Sequence, residues 1–132
     1  VNEVLRQRGF YRLCLPLQRL DPNSLTGLAL VAGLLAWVKT PVETALPELL
    51  GKGTDKPVFS ELRFQRLLAS DNPEDFFQSM RRAIIQGGKK ANPVELADQI
   101  LHWCQQTKHP DWYQGQRQWQ YRFAKPYYAQ VN

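Results

Sequence analysis

The sequence predicts an all-α protein, a small bundle of about five to six helices in one domain over residues 1–132. In most segments apolar residues recur at intervals of three and four, which is the spacing of an amphipathic helix. Proline and asparagine stand where these segments begin, and few segments alternate as a half-buried strand does. With 43% hydrophobic residues and four Trp, the chain has the composition of a protein with a core and not of a disordered one.

The first part of the chain should contain two helices and a connection. The pattern of residues 3–14 predicts a short helix. A second helix is predicted over Leu25–Lys39, with candidate caps in residues 21–24. This second helix is apolar on nearly every side, so we expect it to be central and buried. Residues 40–58 contain three Pro and two Gly, which predicts a mobile connection with one helical turn at Pro47–Leu50.

Three further helices have clear start signals. Asn72-Pro73 and Asn92-Pro93 each place Asn at the N-cap and Pro at the first helical position, and an acidic residue follows near the positive end of the helix dipole. Gly87-Gly88 should end the first of these two helices. Before them, Ser60–Ser70 has apolar residues on one face and a serine as its cap, which predicts another helix.

The segment 107–132 should form a C-terminal helix and tail, with the helix at Pro110–Lys125 and Pro126 as its end. Its aromatic residues admit two interpretations. Aromatic side chains interleaved with basic ones can stack on single-stranded bases. Helical spacing favours a place in the core for Trp112, Trp119 and Phe123, and it leaves Tyr127 and Tyr128 beyond the helix as candidates for a partner surface.

Charge and cysteine content limit the partners and the compartment. Seventeen Lys and Arg against twelve Asp and Glu leave a net charge of +5, which favours polyanionic partners such as nucleic acid. Cys14 and Cys104 lack the spacing of a disulfide framework, which is typical of a reducing intracellular compartment. The apolar run Leu28–Val38 is shorter than the roughly 20 residues of a membrane span. We therefore expect a cytoplasmic protein with no membrane partner.

The candidates for catalysis are weak. His102 and His109 lie on either side of Cys104, but a structural zinc site needs about four ligands at defined spacings. The paired acids Glu74-Asp75 could bind a metal, although their place in a first helical turn favours a role in capping. Residues 51–54 resemble a phosphate-binding loop but lack its preceding strand and its full spacing. We expect no enzymatic activity, no metal and no cofactor.

The basic residues are more informative than the net charge. Six of them lie between residues 60 and 90: Arg63, Arg66, Arg81, Arg82, Lys89 and Lys90. Taken singly, each could be an ordinary solvated charge. Taken together, on neighbouring antiparallel helices, they could form one stripe, and the guanidinium fork of Arg fits phosphate in a bidentate manner. These six residues are candidate nucleic-acid contacts.

Four motifs, in order along the chain, resemble the small subunit of the type I-E CRISPR surveillance complex, called Cascade. The first is Gly9-Phe10-Tyr11-Arg12-Leu13, followed by Pro16. The others are Phe59-Ser60-Glu61-Leu62-Arg63-Phe64-Gln65-Arg66-Leu67-Leu68-Ala69, then Phe76 with Met80-Arg81-Arg82-Ala83, and Leu96-Ala97 with Ile100-Leu101-His102-Trp103. The resemblance covers roughly residues 9–104, and the segment 107–132 should depart from the family.

The resemblance implies a small helical bundle without enzymatic activity. Such subunits pack in more than one copy beside the backbone and large subunits of Cascade, and their basic faces stabilise the guide RNA–target DNA heteroduplex and the displaced DNA strand. Arg63 and Arg82 match arginines of that face, and Arg81 lies beside them. Arg12 matches the first motif, where a packing or salt-bridge role is the alternative to a phosphate contact.

The start of the chain departs from the family pattern, because only eight residues precede Gly9 and the first residue is Val1. In some other type I systems, such as type I-D, a similar small subunit is translated from an internal start within the large-subunit gene. Such a start would explain both features, and a truncation would explain them equally well.

Two other functions remain open at this point. The basic face could meet acidic protein surfaces, so that the chain would be a scaffolding or protein-interaction subunit without nucleic-acid contact. A small helical enzyme would need His102, His109 or Glu74-Asp75 to converge in one pocket, which their spacing does not favour.

Overall fold

The computed structural model describes residues 24–131, which form six α-helices and one short pair of parallel strands. The all-α prediction is confirmed. The strands are β1 (Thr40–Pro41) and β2 (Lys90–Ala91). The helices are α1 (Ser24–Leu35), α2 (Leu46–Gly51), α3 (Glu61–Leu68), α4 (Pro73–Gln86), α5 (Pro93–Lys108) and α6 (Trp119–Gln130). The helix predicted over residues 3–14, with Arg12, lies outside the described residues.

The predicted helix starts are confirmed by their capping hydrogen bonds. The side-chain oxygen of Asn72 accepts a hydrogen bond of 2.9 Å from the backbone N–H of Asp75 at the start of α4. Asn92 accepts one of 3.2 Å from the N–H of Glu95 in α5, and Ser60 accepts one from α3. Each cap satisfies a backbone donor that the first turn of a helix leaves without a partner. Because these signals are local, the sequence alone located the three starts.

Helix α1 is central, as its composition predicts, but it is shorter than predicted. Leu28, Leu30 and Leu34 are buried in the core. The helix ends at Leu35 and not at Lys39. The backbone N–H groups of Lys39 and Thr40 donate instead to the carbonyl of Lys89, at 2.8 and 3.1 Å. A residue before proline is disfavoured in a helix, and pairing of β1 with β2 gives this segment other partners.

The predicted connection over residues 40–58 contains α2, which confirms the helical turn expected at Pro47–Leu50. Leu46 and Leu50 of this helix are buried, and so is Phe59, which follows the connection. The apolar side chains attach the connection to the core at several points. Its mobility stays a prediction.

The predicted helix Pro110–Lys125 is wrong at both ends. Residues 110–112 and 115–117 form two single 3-10 turns, separated by residues 113 and 114. Gly115 has a φ of 58°, a left-handed conformation that an α-helix does not allow. Helix α6 begins only at Trp119 and continues through Pro126 to Gln130. A proline inside a helix costs about 3 kcal/mol. The aromatic side chain next to it, Tyr127, is fully buried, which favours continuation of the helix.

An aromatic core joins α3, α4, α5 and α6. The ring of Phe64 stacks on that of Tyr127 with 3.8 Å between the centroids. Phe76 stacks in the same way on Trp103, at 4.2 Å, and Trp119 meets Phe76 edge to face. These rings hold α3 between α4 and α6 and so create the two surfaces on which the functional candidates lie.

Candidate nucleic-acid interface

Four of the six basic candidates between residues 60 and 90 are exposed and two are half-buried. The exposed ones are Arg63, Arg66, Arg82 and Lys90. Arg81 and Lys89 are half-buried. Within residues 24–131 none of the six forms an ion pair with an acidic side chain. The charges of the four exposed side chains are therefore available to an anionic partner.

Arg66 and Arg82 lie on the two walls of one groove, which we call the arginine groove. It has a volume of about 410 Å³ and runs between α3 and α4. Its lining is polar apart from one alanine: Arg66, Ala69, Ser70, Asp75, Gln78, Ser79 and Arg82. The short turn between α3 and α4 keeps the helices adjacent, so arginines 16 positions apart in the sequence face one space.

The acidic side chain in the arginine groove has a structural role. Asp75 lies in the first turn of α4, where its negative charge suits the helix dipole. Its carboxylate accepts a hydrogen bond of 2.8 Å from the side-chain amide of Asn72, which also caps the helix. This bond holds Asp75 at the helix start. Neither of the two arginines in the groove is neutralised by it.

Arg81 and Arg82 project from different sides of α4. Arg81 donates a hydrogen bond of 2.7 Å to the side-chain oxygen of Gln78. Its guanidinium lies over the ring of Trp37 at 5.4 Å, within the range of a cation–π contact. Arg81 thus helps to pack the turn after α1 against α4, and it does not line the arginine groove. Its role as a phosphate contact stays a prediction.

Lys89 and Lys90 follow the C-terminal end of α4, where the predicted glycine stop is confirmed at Gly87. Lys89 has a φ of 59°, which is uncommon for a residue with a side chain. Its backbone N–H donates to Ile84 and its carbonyl accepts from Lys39 and Thr40. These bonds hold the left-handed turn in place. Neither lysine lines the arginine groove, and their contact with nucleic acid also stays a prediction.

His102 is an interfacial residue of the bundle, as the sequence suggests. Its Nε2–H donates to the carbonyl of Arg117 at 3.0 Å, and its Nδ1 accepts from the guanidinium of Arg122 at 2.9 Å. Arg122 also forms an ion pair of 3.0 Å with Asp98. Burial, and then the nearby charge of Arg122, lower the pKa of His102. The network holds α5, the 3-10 turn and α6 together.

The other catalytic candidates do not converge with His102. His109 is exposed and stacks on Trp112 at 3.9 Å. Burial raises the pKa of the Cys104 thiol to about 11, which makes this cysteine a poor nucleophile and a poor metal ligand. Glu74 and Asp75 lie in the first turn of α4. Across residues 24–131 no three His, Cys, Asp or Glu side chains come together in a possible metal site.

The structure corrects the prediction for the C-terminal aromatic residues. Tyr127 is fully buried, and its hydroxyl donates to the carbonyl of Phe59 at 2.6 Å. Tyr128 is half-buried beside α3, with its hydroxyl near Gln65. Tyr127 is therefore not free for a partner, whereas Tyr128 lines a groove between α3 and α6. Trp112, expected in the core, is 60% exposed, whereas Trp119 and Phe123 are buried as predicted.

A second groove, which we call the tyrosine groove, was not predicted. It has a volume of about 880 Å³ and lies between α3 and α6. Tyr121, which lines it, is 59% exposed. The buried residues of α6 recur every four positions, and Tyr121 falls outside this stripe. The groove was missed because it depends on contact between α3 and α6, which are distant in the sequence.

None of the helices formed by residues 24–131 is long and apolar enough to cross a membrane. The family model of CRISPR-associated protein Cse2 matches residues 4–128. Neither the curated proteins nor the solved structures contain a chain with significant similarity.

The family match extends past the motifs that first suggested it. The expectation that residues 107–132 depart from the family is wrong for residues 107–128, which the match includes. Cse2 proteins are structural, non-catalytic subunits of Cascade. The match and the helical bundle together confirm the resemblance, and this chain belongs to the Cse2 family of type I-E Cascade small subunits.

Proposed function

We propose that this subunit holds nucleic acid in the RNA-guided DNA-targeting complex through phosphate contacts made by its basic helical face. One observation supports this most directly. Arg66 and Arg82 line the same groove from two helices and have no acidic partner among the described residues. Arg63, one turn before Arg66 on α3, extends the basic surface.

Guanidinium groups on two walls of a groove suit a phosphate backbone. Each Arg can donate two parallel hydrogen bonds to phosphate oxygens. Such contacts position a strand without reading its sequence, which leaves recognition to base pairing with the guide RNA. Exchange of a DNA duplex for a guide–target heteroduplex is nearly balanced in free energy, so a few added phosphate contacts can shift it. The subunit would thereby stabilise the heteroduplex and the displaced strand.

The family also suggests the other partners. We propose that the chain packs in the cytoplasm beside the backbone and large subunits of Cascade and beside further copies of itself. Adjacent copies would multiply weak phosphate contacts along one strand, because each later contact becomes intramolecular.

The test replaces Arg66 and Arg82 with Ala in the assembled complex and measures its affinity for target DNA over a range of salt concentrations. Each phosphate contact contributes about 0.9 to the slope of log K against log salt concentration. The double variant should bind target DNA more weakly, and the magnitude of the slope should fall by about 2 for each copy of the subunit that contacts the DNA. The matched control replaces two exposed lysines outside the groove, Lys52 and Lys56, and should change the slope less.

The same experiment tests the scaffolding alternative. If the double variant assembles normally and binds target DNA with wild-type affinity at physiological salt, the arginine groove is not a phosphate site. If the double variant fails to assemble while its isolated chain stays folded, the basic face instead meets another protein subunit. Size-exclusion chromatography of the complex separates these outcomes from the proposed one.

A further inference from the structure

The tyrosine groove has a different chemical character from the arginine groove. Leu68 of α3 and Ala124 of α6 contribute apolar surface to it. Tyr121, Lys125 and Tyr128 line it from α6, and three glutamine side chains add polar surface: Gln65, Gln116 and Gln120. Gln65 is hydrogen-bonded to the hydroxyl of Tyr128, and Gln120 is hydrogen-bonded to Gln106. A pocket of roughly 300 to 1,000 Å³ with apolar surface and a few polar groups is typical of a site for a small organic ligand.

The exposure of Tyr121 is not explained by the fold. The buried face of α6 consists of Trp119, Phe123 and Tyr127, which pack on α3 and α4. Tyr121 is 59% exposed and shows no hydrogen bond from its hydroxyl among the described residues. Single exposed aromatic residues are common on protein surfaces. This one lines a groove, where its exposed surface can meet a ligand.

The charge of the groove favours an anionic ligand. No Asp or Glu is among the residues that line it. Arg122 lies at its edge but is engaged with Asp98 and His102. Lys125 is exposed and forms no ion pair within the described chain. The combination is an open aromatic ring beside an available cation.

We propose that the tyrosine groove binds unpaired nucleotides of a single strand, with a base stacked on Tyr121 and its phosphate paired with Lys125. The inference rests on the proposed function, because it assigns this groove to the same nucleic acid. Every base has a π-face, so stacking on an aromatic side chain tolerates any sequence. Bases within a duplex already cover each other's faces, so the groove selects an unpaired strand.

The position of α3 supports the assignment. Gln65 and Leu68 of this helix line the tyrosine groove, whereas Arg66 and Ala69 line the arginine groove. The helix is therefore a ridge between the two grooves, with a phosphate-binding surface on one side and a stacking surface on the other. A single strand that crosses this ridge can engage both surfaces, each with the part of the nucleotide that it suits.

The experiment measures binding of the full chain at low salt to a labelled thymidine oligonucleotide and to an oligonucleotide of the same length with abasic sites. Stacking on one aromatic side chain strengthens binding by about five- to a hundredfold per base. Tyr121→Ala should lose at least fivefold in affinity for the thymidine strand and keep its salt dependence. It should leave the weaker binding of the abasic strand unchanged, and Tyr121→Phe should restore wild-type binding.

The matched control is Trp112→Ala, which removes an aromatic side chain of nearly the same exposure, 60%, outside the groove. It should leave binding of both strands unchanged. Lys125→Ala should reduce the salt dependence for both strands by about one phosphate contact.

Two results would overturn the inference. Tyr121→Ala could bind the thymidine strand as wild type does, or it could weaken binding of the abasic strand by the same factor. The arginine groove is tested separately by the double variant Arg66→Ala with Arg82→Ala, which should weaken binding of both strands and lower its salt dependence. If the arginine variant weakens binding but Tyr121→Ala does not, only the stacking inference is refuted. If Tyr121→Ala weakens binding but the arginine variant does not, only the proposed arginine contacts are refuted.

Discussion

At the scale of single residues, His102 joins α5 to the C-terminal part of the chain through both ring nitrogens. One nitrogen donates to the carbonyl of Arg117 and the other accepts from Arg122. The accepting nitrogen must be unprotonated, and its neighbour is itself a cation. Burial and this neighbour lower the pKa of His102 in the folded protein below the ordinary value of 6.5. The neutral ring is therefore the form that the fold stabilises.

A pH dependence of stability follows from this shift. Because the unfolded chain takes up the proton more readily, the contribution of His102 is fully present above pH 6.5 and is lost as the pH falls below it. Urea unfolding at pH 7.5 and pH 5.5 should therefore show a loss of stability that is smaller in His102→Gln. The control is His109→Gln, which removes the exposed histidine and should keep the wild-type difference. Equal pH dependence in His102→Gln and wild type would contradict the assignment.

The role of a single residue could be predicted from the sequence where that role depends only on its neighbours in the chain. Asn72, Asn92 and Ser60 act on the turn that follows them, so their caps could be read from the sequence. Tyr127 was expected beyond the helix because Pro126 was taken as the helix end, but α6 continues to Gln130 and places Tyr127 on the buried stripe of Trp119 and Phe123. Gly115 and the glutamine-rich segment around it delay the start of α6, and no cap among them marks this start in the sequence.

At the scale of helices, α2 lies directly on α6 at Gly51. A Cβ atom at this position would overlap the backbone carbonyl of Tyr127, which cannot move without distorting α6. Gly51→Ala should lower the free energy of unfolding by about 1–3 kcal/mol, as measured by urea denaturation. Gly27→Ala is the control, since its Cβ would meet Leu101 and Cys104 only at ordinary contact distances of 3.4 and 3.5 Å. That variant should be neutral or slightly stabilised.

Helix ends set by long-range partners were beyond sequence reasoning. The segment that follows α1 donates hydrogen bonds from residues 39 and 40 to residue 89, about fifty positions away. The continuation of α6 through Pro126 depends on the burial of Tyr127 against α3. In both places a local rule about proline or periodicity was overruled by a contact between distant segments. For the contact between α2 and α6, unchanged stability of Gly51→Ala would show that the two helices are not packed as closely as the position of Gly51 indicates.

At the scale of the whole molecule, we expect the half-buried thiol of Cys104 to report on unfolding of the chain. Burial raises the pKa of its thiol to about 11, so at pH 8 it holds about a hundredfold less thiolate than a thiol with the ordinary value of 9.0. In a Cys14→Ser background, a disulfide reagent should react slowly with the folded chain. The rate should rise with urea in step with tryptophan fluorescence. Fast reaction without denaturant would mean that α5 opens locally.

The two grooves differ in how far the sequence could predict them. The arginine groove joins α3 and α4, which are neighbours in the chain, so a shared surface for Arg66 and Arg82 was foreseeable from their antiparallel arrangement. The tyrosine groove joins α3 to α6, about fifty residues later. Nothing in the periodicity of either helix says that they meet, because that contact is decided by the packing of Phe64 on Tyr127.

Helix α3 is only eight residues long and forms one wall of each groove. A ligand that shifts this wall on one side alters the opposite cavity as well. By thermodynamic linkage, a ligand in the first groove changes the affinity of the second groove by some factor, and a ligand in the second groove changes the affinity of the first by the same factor. A strand bound by its backbone in one groove and by its bases in the other would thus be in coupled equilibria, and measuring either affinity with the other groove saturated should yield the same coupling constant.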